Sequence, residues 1–209
     1  MPIPLTTTLR FAIALGIACA GLPGCQSGRG TPPPSSVSNT DLARQYNDRA
    51  FKLIAAGDYD QAEPILQQAL GADPTFGPIR NNLGLVAFHR GDLYRASWEF
   101  ENAIKLMPRQ PEPRNNLGLA LEKAGKLNDA IDAYTRALEM NPNNSEYLGN
   151  LARARVRRGD RDATLIRQLQ DISLKDPRPA WRDWAKLNAT RLASPESVDP
   201  TSRPSAGRQ

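Results

Sequence analysis

The sequence predicts an all-α chain: a solenoid of stacked helix–turn–helix units closed by a C-terminal capping helix. Three observations predict it. Arg80-Asn81-Asn82-Leu83-Gly84-Leu85 returns 34 residues later as Arg114-Asn115-Asn116-Leu117-Gly118-Leu119, and a weaker copy follows in step at Gly149-Asn150-Leu151-Ala152. Gly57, Gly91, Gly125 and Gly159 keep the same interval. So do Ala62, Ala96 and Ala130, then Ala69, Ala103 and Ala137, with Pro74, Pro108 and Pro142 closing each unit. Self-similarity at a fixed period of this size marks a repeat architecture, in which each unit buries its apolar face only against its neighbours.

Each element has a local reason. Apolar residues within a unit fall at helical spacing, as in Ile65, Leu66, Ala69 and Leu70. The glycine about midway sits just past the first helix, where a left-handed backbone carries no Cβ penalty. Asp58 or Asp92 then caps the second helix. The proline ends the unit because it cannot continue a helix. The alanines are small enough for two helices to approach closely.

This pattern resembles the tetratricopeptide repeat (TPR) family. Counted in the family's positions, the units run 43–76, 77–110, 111–144 and from 145 onward. The small residue at position 8 is Ala50, Gly84, Gly118 or Ala152, and the aromatic or aliphatic residue at position 24 is Leu66, Phe100 or Tyr134. Position 4, usually a large aromatic, is Tyr46 in the first unit but Arg80 and Arg114 in the next two. The resemblance implies a right-handed solenoid of three TPR units over 41–144, with a degenerate fourth unit and the capping helix over 145–193. In that fourth unit positions 20 and 27 become Thr164 and Asp171, and Pro177 arrives one residue late. Trp181, Trp184, Leu187 and Leu192 form an apolar stripe at helical spacing, expected to cover the last unit's open face.

The ends read differently. Residues 1–24 resemble a lipoprotein signal peptide: Arg10, then an apolar run from Phe11 to Leu22 that is short of the ~20 residues needed to span a bilayer. The run ends in Leu22-Pro23-Gly24-Cys25, which resembles a bacterial lipobox and implies lipidation of Cys25. Cys19 would leave with the leader, so the mature chain would hold no free thiol and no disulfide. Residues 25–40 are rich in Ser, Gly and Pro and read as a tether, and 194–209 as a disordered tail. The resemblance places the protein in a bacterial cell envelope, anchored by lipid and facing the periplasm. Gln26 after the cysteine, in place of Asp, favours the outer membrane.

The net charge is +5, concentrated at Arg153, Arg155, Arg157, Arg158 and Arg161. A basic cluster suits a solvated helix face, an acidic partner or anionic lipid; an exported protein makes nucleic acid an unsuitable partner. No catalytic constellation is present. His89 is the only histidine, and Glu99 and Glu101 lack the context that would perturb a carboxylate. The chain is therefore expected to be neither an enzyme nor dependent on a metal or cofactor.

A binding module remains, and the resemblance says where. First-helix positions line a concave face, supplying Asn47, Asn81, Asn82, Leu85, Phe88, Asn115, Asn116, Leu119, Asn150 and Arg153 as the peptide-binding set. Asp48, Phe51, Ile54, His89, Glu122, Lys123 and Arg157 stand at further positions that point into the same face. Asn82, Asn116 and Asn150 recur at position 6 and are expected to project into the face as a ladder of amides for an extended peptide. This resembles the asparagine ladder of O-linked N-acetylglucosamine transferases. The expected function is a membrane-tethered scaffold for a peptide or protein partner, with pilus or secretion-complex assembly as the setting. A self-associating repeat protein and an adaptor for a cell-wall enzyme are the alternatives.

Overall fold

The computed structural model describes residues 38–194. The described residues form nine α-helices and no strand. Three helical pairs come first: α1 (Asn39–Ala55) with α2 (Tyr59–Ala72), α3 (Gly77–Arg90) with α4 (Leu93–Leu106), and α5 (Glu112–Lys123) with α6 (Leu127–Met140). A fourth pair, α7 (Ser145–Arg158) and α8 (Ala163–Lys175), is followed by α9 (Pro179–Ala193). Cys25, the leader and the tail beyond Ser194 lie outside the described residues. The first helix begins at Asn39, inside the stretch read as tether, because Ser38 caps it by accepting from the Asp41 amide at 3.1 Å.

The repeating glycines all take the left-handed conformation, with φ of 79°, 83°, 78° and 96° at Gly57, Gly91, Gly125 and Gly159. The residue after each then returns its amide to the same carbonyl in every unit: Asp58 to Leu53, Asp92 to Ala87, Lys126 to Leu121 and Asp160 to Arg155, at 2.9–3.0 Å. This satisfies carbonyls that a helix end would otherwise leave open. Asp58 and Asp92 cap α2 and α4 as expected, by accepting from Gln61 and Arg95.

The small residue at position 8 exists for the ring at position 24. A Cβ on Gly84 would stand 2.5 Å from the Phe100 ring, and one on Gly118 2.5 Å from the Tyr134 ring. Both rings are buried, as are Ala62, Ala96, Ala130, Ala69, Ala103 and Ala137. Arg80 departs from the family's aromatic at position 4, yet it stays inside the array. It donates to the buried Glu99 carboxylate at 3.1 Å and lies over the Trp98 ring at 5.4 Å.

The drift of the fourth unit has a structural cause, and one expectation about the C-terminal part is corrected. The fourth unit's second helix is displaced in register, and α8 starts only at Ala163, capped by Asp162. Thr164 and Asp171 are therefore exposed, while Leu165, Leu169 and Ile172 occupy the core. The turn from Gly159 to α8 is two residues longer than the other three, and the buried set moves on by one position, in step with the late Pro177. Arg155 holds that turn through Asp160, Asp162 and Gln168. On α9, Leu187 is 70% exposed and does not belong to the covering stripe. Ala185, Asn188 and Ala189 are buried instead, with Trp184 and Leu192 packed beside them.

First helices touch their counterparts one unit on, α1 to α3, α3 to α5 and α5 to α7, more closely than successive second helices do. The described array therefore bends toward the first-helix side. α9 continues this inner row: Trp181 packs on Gly149 of α7, where an added Cβ would meet its ring at 2.9 Å.

Candidate functional site

The inner row carries a repeated polar contact that the sequence suggested and misassigned. Asn82 donates its side-chain amide to Asn47 at 2.9 Å, Asn116 to Asn81 at 3.0 Å, and Asn150 to Asn115 at 2.9 Å. Position 6 of one unit thus clasps position 5 of the unit before. Asn47, Asn82, Asn115 and Asn150 are buried, and only the Asn81–Asn116 rung is partly open. The expected ladder of free amides is therefore corrected: three inter-unit clasps stand in its place. A position-5 asparagine in each of the first three units was the signal for pairing. Gly149 at that position in the fourth unit ends the series and makes room for Trp181.

An Asn82→Ala change leaves the buried Asn47 oxygen without this donor. It is expected to destabilise the array by about 1–3 kcal/mol, with Asn47→Ala/Asn82→Ala costing less than the two single changes together. Urea unfolding of the four proteins checks it; additive costs would mean the amides do not act as a pair.

Position 9 forms the open part of the row. Phe51 is 55% exposed on α1, Leu85 and Leu119 are half-buried on α3 and α5, and Arg153 is half-buried on α7. Phe88 lies beside Leu85, with the Lys123 ammonium 4.7 Å above its ring. His89 is exposed and stacks on Tyr59 at 4.8 Å. Asp48 is exposed, whereas Ile54 belongs to the core.

The predicted basic cluster is largely consumed internally. Glu122, 3% exposed, accepts from Arg153 Nε and Nη2 at 2.9 and 2.8 Å, from Arg157 Nη1 at 2.9 Å and from the Tyr134 hydroxyl at 2.8 Å. Burial would push the Glu122 carboxyl up; the Arg153 and Arg157 guanidiniums and the Tyr134 hydroxyl together hold it below the usual carboxylate range. Burial and the neighbouring Glu122 charge push the Tyr134 phenol up, so it stays a donor. Arg155 and Arg158 pair with Asp160. The sequence reading set Glu122 among groove residues; its oxygens are instead the centre of a three-helix clasp. Opposite charges at position 12 of one unit and positions 9 and 13 of the next were the available signal.

Beyond Arg153 the row ends in aromatic side chains. Trp181 and Trp184 meet edge to face at 5.5 Å, with Arg178 4.4 Å and Arg153 5.3 Å from the Trp181 ring centre. Among the described residues no group of His, Cys, Asp and Glu would hold a metal ion, and no helix is long and apolar enough to cross a membrane.

Three matches to tetratricopeptide repeat families cover residues 53–112, 111–144 and 133–163. No curated protein matches the chain. Among solved structures, pilF of Pseudomonas aeruginosa is 17% identical, with a TM-score of 0.63 over 74% of each chain. The first TPR domain of Spaghetti (RPAP3), bound to an HSP90 peptide, is 23% identical, with a TM-score of 0.55 over 58% of this chain and 96% of that one. An O-GlcNAc transferase from Thermobaculum terrenum is 20% identical, with a TM-score of 0.56 over 75% of this chain and 27% of its own. At these identities the likeness is one of fold.

Proposed function

Since the chain belongs to the tetratricopeptide repeat family, its matches running without a gap from residue 53 to residue 163, we propose that it is a non-catalytic scaffold holding a peptide segment of a protein partner along its inner row of helices. The position-9 row carries this reading. Phe51, Leu85 and Leu119 repeat one apolar contact per unit on an open face, with the half-open Asn81–Asn116 amides beside them. Side chains spaced this way suit an extended segment laid across successive helices. The same fold holds HSP90 and HSP70 peptides in the RPAP3 domains.

The scaffold is tethered by lipid on Cys25 and faces the periplasm, with the outer membrane favoured. Leu22-Pro23-Gly24-Cys25 after the apolar run supports this. Pilus or secretion-complex assembly is the setting we favour, because a lipidated leader before a short TPR array is the build of such assembly lipoproteins. Cys25→Ser is expected to move the protein from the membrane to the soluble fraction and to change its gel mobility; unchanged fractionation and mobility would overturn the anchor.

The binding face is tested by a photo-crosslinking amino acid placed in intact cells at Phe51, Leu85 or Leu119, with exposed Gln67 and Glu139 on the second helices as controls. One common heterologous product from the inner positions alone is expected. The same product from the outer positions, or none from the inner ones, would overturn the reading. Crosslinks to a second copy alone would replace it with self-association.

A further inference from the structure

We propose that the cleft between α7 and α9 binds an acidic peptide segment through one apolar side chain. The proposal deepens the scaffold reading and rests on it for the direction of the bound segment. Arg153, Ala180, Trp181 and Trp184 line an open cleft of about 230 Å³. That is below the roughly 300–1,000 Å³ of small-molecule pockets and suits a single side chain.

Two observations define the occupant. The floor is apolar and held in place before anything binds. The Trp181 ring packs on Gly149 at its edge, lies near Arg178 and Arg153, and meets Trp184 edge to face. An aromatic floor fixed in advance spares the ordering cost of binding. The wall carries the Arg153 guanidinium, whose one carboxylate partner is shared with a second cation. Arg153 and Arg157 share the single charge of Glu122, and Arg153 Nη1 takes no part in that clasp. Arg178 is matched by Asp176, while Arg182 donates to the main-chain oxygen of Asp176. Glu146, exposed at the start of α7, adds a second negative charge that acts on Arg178.

The cleft also lies at the end of the position-9 row. Arg153 is the position-9 residue of α7, so the row Phe51, Leu85, Leu119 leads directly to this cleft. A segment laid across the apolar row would bring its last contacts to the guanidinium and the two indoles. An aromatic or large aliphatic side chain flanked by Asp or Glu satisfies both surfaces, and a basic segment satisfies only one.

The test uses the full chain in detergent and a labelled synthetic peptide with one Phe flanked on both sides by acidic residues. Binding is read by fluorescence anisotropy. Replacing the acids by Lys, or the Phe by Ala, is expected to weaken binding by about tenfold or more, equivalent to about 1.4 kcal/mol. On the protein, Ala180→Glu is compared with Ala180→Gln. Ala180 is exposed in the first turn of α9, where an acid does not weaken a helix, so both variants keep the fold. The Glu variant is expected to bind the acidic peptide about tenfold more weakly than the Gln variant, because the two differ in charge and hardly in size. Equal binding by the two, or equal binding of the acidic and Lys peptides, would overturn the proposal. Loss of binding on Phe51→Ala with Ala180→Glu silent would leave the inner-row scaffold standing and remove the cleft. Sensitivity to Ala180→Glu without inner-row crosslinks in cells would do the reverse.

Discussion

Gly118→Ala is expected to lower the melting temperature by about 6–12 °C, and Gly118→Leu to leave no stable array at physiological temperature. A Cβ at Gly118 falls 2.5 Å from one Tyr134 ring carbon and 2.6 Å from the next. The ring is fully buried, and its hydroxyl is fixed on Glu122 at 2.8 Å, so it is held at both ends. Overpacking a tight core costs about 1–3 kcal/mol, and a ring that cannot turn aside puts Ala at the upper end. A chain of this size loses about 2–4 °C per kcal/mol, which gives the range stated. In a solenoid the damage extends to both neighbours, because each unit is stable only through its interfaces. Gly84→Ala makes the same clash with Phe100 at 2.5 Å, but that ring has no hydroxyl to anchor it. It is expected to be milder than Gly118→Ala. Gly71→Ala serves as the control: nothing lies within 4 Å of its Cβ, so the melting temperature should hold or rise slightly. Thermal unfolding of the four variants decides it, and a Gly118→Ala protein as stable as Gly71→Ala would contradict the packing of position 8 on position 24.

The contrast between those glycines also shows what the sequence disclosed. A 34-residue interval in Gly, Ala and Pro is a backbone and size signal, and it gave the helical pairs, the left-handed turns and the position of each small residue. Side-chain partners across units were harder to read, because they depend on which positions face each other and not on residue type. Asn82 and Asn150 are the same residue type whether they face a peptide or Asn47 and Asn115; only the position-5 asparagines distinguish the two arrangements. The drift of the fourth unit was visible in the sequence, but its cause was not. α8 starts two residues later after Gly159 than α2, α4 and α6 start after their glycines, and its buried face moves on by one residue, about 100° of helix, so Thr164 lies outward and Leu165 inward while the 34-residue count runs on. Leu187 fits the period of a buried stripe, yet nothing beyond α9 covers that face among the described residues.

Glu122→Ala is the second large effect expected. It removes the carboxylate that Arg153 and Arg157 share and the acceptor of the buried Tyr134 hydroxyl. Breaking a buried ion pair from one side costs about 3–5 kcal/mol, and the lower figure applies here because the Arg153 and Arg157 side chains keep 30% and 49% of their exposure. The clasp joins α5, α6 and α7, so its loss is expected to separate the fourth unit and α9 from the first three units before the whole array melts. Acid should mimic the mutation. The native Glu122 carboxyl lies below its unfolded value of 4.5, so the folded state binds its proton less readily than the unfolded chain does. The stability it contributes is then fully present above that unfolded value and is lost as pH falls through the lower native one. Glu63, Asp160, Asp162 and Asp176 shift in the same direction, so acid destabilises the wild type through several groups at once. The diagnostic quantity is therefore the difference between wild type and Glu122→Gln in urea unfolding, measured from about pH 7 to about pH 3. That difference should be largest at neutral pH and shrink toward zero in acid, where the native carboxyl is itself protonated. A gap between the two proteins that stays constant across the range would mean that Glu122 acts by packing alone, and the ionic clasp between units three and four would have to be abandoned.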